Sequence, residues 1–328
     1  MKPQETSVCA TCAISKSTVR KGSVSSSVYT APLQLLQADL CGPFRYDNYV
    51  DGRYFLTIRD AYSRCYFALV LKDKSAATLA FTNWILEQEN YFSTRGGYKV
   101  GTVRTDNGGE FNNTVLHDFL KRKGICHEYT IPHSSYQNGG VERAHRTIQE
   151  KVRYLFYAGR VPPYLWPEAL SCAVYLINRL PVVSHNDMIP WSKWKTDWNK
   201  RVTLDHLRTF GCAAYATLPH TNRDGKLAST AISGVMVGYA ENRKGYRIYH
   251  PASDKTYVSN QVTFDENLFP LANTDASHKA YDFGSSAIRG VPSYPSTSGR
   301  LTTSEPSCSN PLDNSLCWSL TGFIITRR

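Results

Sequence analysis

Three carboxylates carry the chemistry this sequence could perform. Asp106 sits in "VRTDNGGEF" (residues 103–111), at the expected tip of a strand, followed by Gly108 and Gly109. These glycines permit positive φ and a close approach by a ligand or another backbone. Asp39 lies within "LLQADLCGPF", an apolar strand where a charge is costly unless paired or metal-bound. Glu142 opens an expected helix beside "QNGG". Oxygen donors of this kind suit magnesium, which takes hard ligands and keeps several waters. Two such ions about 3.5–4 Å apart can drive phosphodiester transfer. On the residues alone, helix capping and surface charge explain these side chains as well as metal binding does. Spacing does not separate the readings, because Asp106 and Glu142 have 35 residues between them, as do Asp51 and Glu87, and Asp205 and Glu241.

The elements that must position these groups follow from periodicity and turn residues. Strands are expected at 33–40, 53–60, 65–72, 98–105 and 126–131, and helices at 75–92, with Ser75 as N-cap, and 112–124, with Gly124 as its stop. The segment 141–159 places apolar residues at 141, 144, 148, 152, 155 and 156, a helical period, with Glu142, Arg146, Gln149 and Arg153 on the opposite face. Residues 164–180 read as a buried helix. Three strands, then helix, strand, helix, strand and further helices predict a mixed α/β layer rather than a doubly wound one. Strands at 209–218, 234–240, 246–251 and 256–264 predict a small antiparallel meander, and the Ser, Thr, Pro and Gly-rich stretch from 271 predicts disorder.

The 328 residues carry a formal charge of +11 and nine cysteines, an odd number scattered along the chain that favours a reducing compartment over a disulfide framework. Residues 151–270 carry net +6 and residues 31–150 net +1, which points to polyanion binding behind the segment that holds Asp106. Mean hydropathy is -0.38, no run approaches the roughly 18 apolar residues of a membrane span, and the N-terminus lacks a signal-peptide layout.

The blocks "ADLCGPF", "RTDNGGEF" and "SSYQNGGVERAHRTI" resemble, in order, the catalytic blocks of copia-type LTR retrotransposon integrases, within the retroviral integrase and DDE transposase group. "WPEALSCAVYLINRLP", "LRTFGCAAYATLP" and "GVMVGYAENRKGYRIYHP" resemble the extension after that core, and the likeness spans roughly residues 9–267. It implies a ribonuclease H-like core over 31–160, a helical extension over 161–204, a small β domain over 205–270 and a tail over 271–328. It further implies that Asp39, Asp106 and Glu142 hold Mg²⁺ or Mn²⁺, that DNA ends and target DNA are the substrates, and that an intact integrase is a nuclear homo-oligomer with no membrane partner. Arg143, Arg146 and Arg153 are the expected phosphate contacts.

The departures from that pattern set further expectations. Cys9 and Cys12 keep the Cys-x-x-Cys of the family's zinc module, but no histidine precedes them, so residues 1–30 read as a remnant whose four-ligand site is incomplete. Tyr136 stands where glutamine is usual, and Arg59 where an acidic residue is common. The end does not continue into a reverse transcriptase, which together suggests a cut-down copy. The competing expectations are a catalytically inactive DNA-binding remnant and a ribonuclease H-type nuclease. Glu110 is expected as a first-turn helix carboxylate, Asp60 as structural, His133 and His145 as polar-face residues, and Trp191, Trp194 and Trp198 as a packed aromatic face.

Overall fold

The computed structural model describes residues 28–45, 48, 50–130, 135–182, 187–196, 202–218, 229–241 and 244–272, with the backbone only for 135–139 and 142. Its first sheet contains β1 (Leu35–Cys41), β2 (Tyr54–Asp60), β3 (Tyr66–Leu71), β4 (Thr102–Thr105) and β5 (Cys126–Tyr129) in the order β3-β2-β1-β4-β5. Strands β1, β2 and β3 form an antiparallel meander. Helix α1 (Ala76–Ser93) and helix α2 (Thr114–Lys123) are the crossovers that make β4 and β5 parallel to β1. This is the mixed layer expected, and its class is ribonuclease H-like.

Alternation along β1 assigns its two faces. Leu36 and Ala38 pack with Phe81, Trp84 and Ile85 of α1 and Leu116 and Leu120 of α2. Gln37, Asp39 and Cys41 face the other way, toward helix α3 (Ser135–Gly159). All six apolar positions expected to form the inner face of α3 are buried. The helix nevertheless starts six residues before the expected 141, so Gly139 and Gly140 lie inside it. A Cβ at Gly140 would come 2.7 Å from Gln37 Oε1 and 2.9 Å from Arg59 Nη1. Glycine here lets helix and sheet touch; it does not break the helix.

Two capping expectations are corrected. Ser75 makes no side-chain cap to α1; Asp73 accepts from the Ala76 N–H at 3.1 Å instead. Glu110 lies ahead of α2, whose first turn holds no acidic residue and whose cap is Asn113, accepting from Leu116 N–H at 2.9 Å. Gly124 ends α2 in the left-handed region, φ 69°.

Helix α4 (Trp166–Arg179) is buried on nearly every side, between α3, β3 and a second sheet. Its Asn178 donates to Tyr66 O at 2.7 Å and accepts from Tyr66 N–H at 2.9 Å, which satisfies the edge of β3. The short helix α5 (Pro190–Trp194) seats Trp194 against Phe67, Trp84 and Phe92, and Trp191 packs beside it under Arg179 and Lys195. Trp198 and His133 lie outside the described residues, as do Cys9, Cys12 and the tail from 273.

The second sheet is antiparallel, with β6 (Ala213–Thr217), β7 (Ala231–Tyr239), β8 (Tyr246–His250), β9 (Lys255–Ser259) and β10 (Val262–Asp265) in the order β10-β6-β7-β8-β9. The single strand expected at 256–264 is two, because the chain turns at Ser259–Gln261 and β10 pairs with β6. Glu168 of α4 accepts from Arg247 of β8 at 2.6 and 2.5 Å, a bidentate pair with Glu168 buried. No helix among the described residues is long and apolar enough to cross a membrane.

Candidate metal centre

Strand register brings the two aspartates together. β1 and β4 run parallel with Leu35 opposite Thr102, Leu36 opposite Val103 and Gln37 opposite Arg104. Two residues further on, Asp39 is level with Asp106, just past the end of β4. Neighbouring strands lie about 4.8 Å apart, and level residues of a parallel pair share a face. Both aspartates are partly open to solvent. Each carboxylate is oriented by a nearby backbone N–H: Asp39 Oδ1 accepts from Leu40 N–H at 2.8 Å, and Asp106 Oδ1 from Gly108 N–H at 3.1 Å. Asp106 therefore serves its own turn and does not cap α2.

Helix α3 runs along this face of β1 in step with it. Gly140 meets Gln37, His145 lies beside Asp39, and Gln149 donates to Cys41 Sγ at 3.2 Å. His145 and Gln149 follow Glu142 by three and seven residues, a helical spacing that puts all three backbone positions on one edge. Glu142 thus enters the edge of α3 that borders β1; its side chain lies outside the described residues. Among the described residues, no three His, Cys, Asp or Glu side chains form a metal cluster. Gln149 does not lie on a face opposite the core, as the periodicity suggested, but at the seam with β1.

His145 is likewise no polar-face residue. Its Nδ1 stands 3.6 Å from Asp39 Oδ2, a separation that would be an ion pair were the ring charged. Burial pushes its pKa down to about 4, against the pull of a hydrogen bond to the Asp39 backbone, so the ring is neutral near pH 7. The neutral imidazole holds β1 against α3 without neutralising Asp39. The signal for it was the +3 spacing from Glu142, which marks the helix edge rather than the solvent face.

The donor set fits a hydrated divalent cation. The aspartates supply hard oxygens on one face, and magnesium keeps several waters. Beside them are buried polar atoms with no hydrogen-bond partner among the described residues, His145 Nε2 and Oγ1 of Thr57, the residue opposite Asp39 on β2. Arg143 and Arg146 are exposed on α3, and Arg153 is half-buried. Asp60 belongs elsewhere: it is fully buried and accepts from Leu33 N–H, Ser63 N–H and Ser63 Oγ at 2.9, 2.6 and 2.6 Å. Burial raises its pKa, against those hydrogen bonds.

Comparison with known proteins finds two families in the chain. Residues 29–135 match the integrase core domain family and residues 212–277 the retroviral polymerase SH3-like domain family. The retrovirus-related Pol polyprotein from transposon TNT 1-94 of Nicotiana tabacum is 34% identical over 83% of this chain and 20% of that protein. The corresponding polyprotein from transposon RE1 of Arabidopsis thaliana is 35% identical over 81% of this chain and 17% of its own length. The transposon Ty1-DR6 Gag-Pol polyprotein of Saccharomyces cerevisiae is 25% identical over 79% and 16%. The chain thus spans a fifth or less of these relatives' length. Among solved structures, a simian T-cell lymphotropic virus intasome in complex with PP2A regulatory subunit B56 gamma aligns with TM-score 0.47 and 17% identity over 78% of this chain and 87% of that one. The HTLV-2 integrase catalytic core domain in complex with magnesium aligns with TM-score 0.37 and 19% identity over 50% and 97%.

Proposed function

With an integrase core domain and a retroviral SH3-like domain in one chain, this protein belongs with the integrases of retrovirus-related transposon Pol polyproteins, and on that premise we propose that it joins element DNA 3′ ends to target DNA. The observation that carries the reading is the parallel register of β1 and β4, which sets Asp39 level with Asp106 just past the end of β4, with Glu142 entering the adjoining edge of α3. These three residues would hold Mg²⁺ or Mn²⁺. Such ions, when bound, activate a 3′-hydroxyl or water and stabilise the departing 3′-oxygen in an in-line displacement.

The chain's own residues do the rest. Asp39 and Asp106 concentrate negative charge where a cation is needed, each oriented by a backbone N–H. His145, neutral, fixes the distance between α3 and β1 without competing for that cation. Arg143, Arg146 and Arg153 contact phosphates, which positions the duplex without reading its sequence. The copia-type affiliation, assembly into a homo-oligomer and action in the nucleus belong to the same reading.

A strand-transfer assay tests it. The full chain is incubated with Mg²⁺ or Mn²⁺, a labelled duplex with a recessed 3′-hydroxyl and a supercoiled plasmid. Label joined to plasmid by the wild type and absent with Asp106→Asn supports the reading. Nicking without joining would mean a ribonuclease H-type nuclease, and DNA binding without either would mean an inactive remnant.

A further inference from the structure

Beside the carboxylates the fold collects positive charge. Arg59, near the end of β2, pairs in register with Gln37, two residues before Asp39, so its Cα lies about 8 Å from that of Asp39. Its Nη1 donates to Gln37 Oε1, while its Nε is buried with no hydrogen-bond partner among the described residues. Arg64, in the turn between β2 and β3, interacts electrostatically with both Arg59 and Arg143, and burial is the largest force lowering its pKa. Lys193 of α5 is held 4.1 Å above the ring of Tyr62, in the same turn, and feels the charge of Arg64. Four cations from β2, a turn, α3 and α5 therefore converge. Asp60, buried beside them, accepts from its own three donors and offsets part of the charge of Arg59 and Lys193.

Like charges brought together cost stability, and here the backbone adds to the cost. Arg64 has φ 63°, a left-handed conformation that suits glycine and strains arginine. A turn selected for stability alone would carry Gly or Asn at this position. Nor is the patch a surface for stacking bases. Tyr62 is covered by Lys193, and Trp191 by Arg179 and Lys195 at 4.4 and 4.7 Å. These rings orient cations rather than receive bases, so the partner that suits the patch is a phosphodiester backbone.

We propose that Arg59, Arg64, Arg143 and Lys193 form a phosphate-binding subsite that holds a nucleic-acid strand beside the Asp39/Asp106 site. The proposal rests on the DNA-joining reading and adds to it a surface built from the β2–β3 turn and α5. The subsite is sequence-independent and strengthens as salt falls.

Fluorescence anisotropy of the full chain with a labelled duplex of arbitrary sequence, in EDTA and over a series of salt concentrations, isolates this surface from the metal. The double variant Arg64→Gly/Lys193→Gln should bind about tenfold more weakly at low salt. Its log affinity–log salt slope should be shallower by about 1.8, or 0.9 for each lost phosphate contact. Lys121→Gln/Arg122→Gln on α2, an equal loss of charge elsewhere, should leave both nearly unchanged. Arg64→Gly alone should match or exceed wild-type Tm, since it relieves the left-handed strain. A double variant with wild-type affinity and slope overturns the subsite. So does an Arg64→Gly variant that loses Tm but keeps its DNA affinity, because the arginine is then structural. Wild type that prefers poly-glutamate to DNA, with the patch variants losing it, would make the surface one for acidic peptides and also overturn the proposal. Joining retained by a double variant with unaltered binding would sink the subsite alone. Weakened binding by the variant, with no joining even by wild type, would sink the enzymatic reading alone.

Discussion

Asp39 and Asp60 stand on adjacent strands of one sheet, yet their surroundings have nothing in common. Asp60 is sealed from solvent and spends its oxygens on Leu33 and on both donors of Ser63, which locks the β2–β3 turn to the start of β1. Asp39 keeps solvent access, is oriented by the next N–H of its own strand, and lies beside a neutral histidine. Glu168 repeats the Asp60 pattern in ionic form, buried in α4 with both oxygens on Arg247. A carboxylate tied to distant donors builds the fold. One held by the backbone next to it and partly open to solvent, level with a second of the same kind, is placed to bind a cation.

Substitutions should separate the two kinds. The largest effect is expected at the site. Asp106→Asn should lower metal-dependent joining by about a thousandfold, about 4 kcal/mol of transition-state stabilisation, with Tm and far-UV dichroism unchanged. A variant that joins DNA normally would remove the distinction. Glu168→Ala should do the reverse, costing about 3 kcal/mol of stability because it strands a mostly buried guanidinium. Urea unfolding measures that loss, and Glu168→Ala/Arg247→Ala should be less destabilised than the sum of the single variants.

Smaller effects sharpen the boundary between site and scaffold. Asn178→Ala leaves the Tyr66 N–H and C=O without their partner at the edge of β3 and should cost about 2 kcal/mol. Hydrogen exchange at the Tyr66 amide would rise with it. Gly124→Ala should cost only about 1 kcal/mol, all of it backbone strain at φ 69°, because a Cβ there meets nothing within 4 Å. If Gly124→Ala proved as damaging as Glu168→Ala, the energetic ranking would be wrong.

Much of this was legible in the residues. The apolar period of α3 named six positions, all of them buried, and the order of strands and helices gave the mixed sheet. Asp39 stood out because a charge in an apolar strand demands a reason. What stayed hidden depends on contacts between distant segments. Gly139–Gly140 reads locally as a break, but the need for α3 to touch Gln37 and Arg59 makes glycine the residue that fits inside a helix there. His145 and Gln149 looked polar and outward until β1 supplied their partners. The split of 256–264 into two strands depends on β10 finding β6, a pairing no local pattern announces. The cluster of Arg59, Arg64, Arg143 and Lys193 spans 135 residues of sequence and exists only in the fold.

The claim that Asp39 and Asp106 form the cation site is tested most directly by titrating the full chain with Mn²⁺ and following unbound Mn²⁺ by electron paramagnetic resonance. Wild type should bind the ion. Asp39→Asn and Asp106→Asn should each weaken binding at least about tenfold, since each removes a charged oxygen ligand. Glu168→Gln, which changes a buried but fully partnered carboxylate, should bind Mn²⁺ as wild type does. Undiminished binding by Asp39→Asn/Asp106→Asn would contradict the assignment.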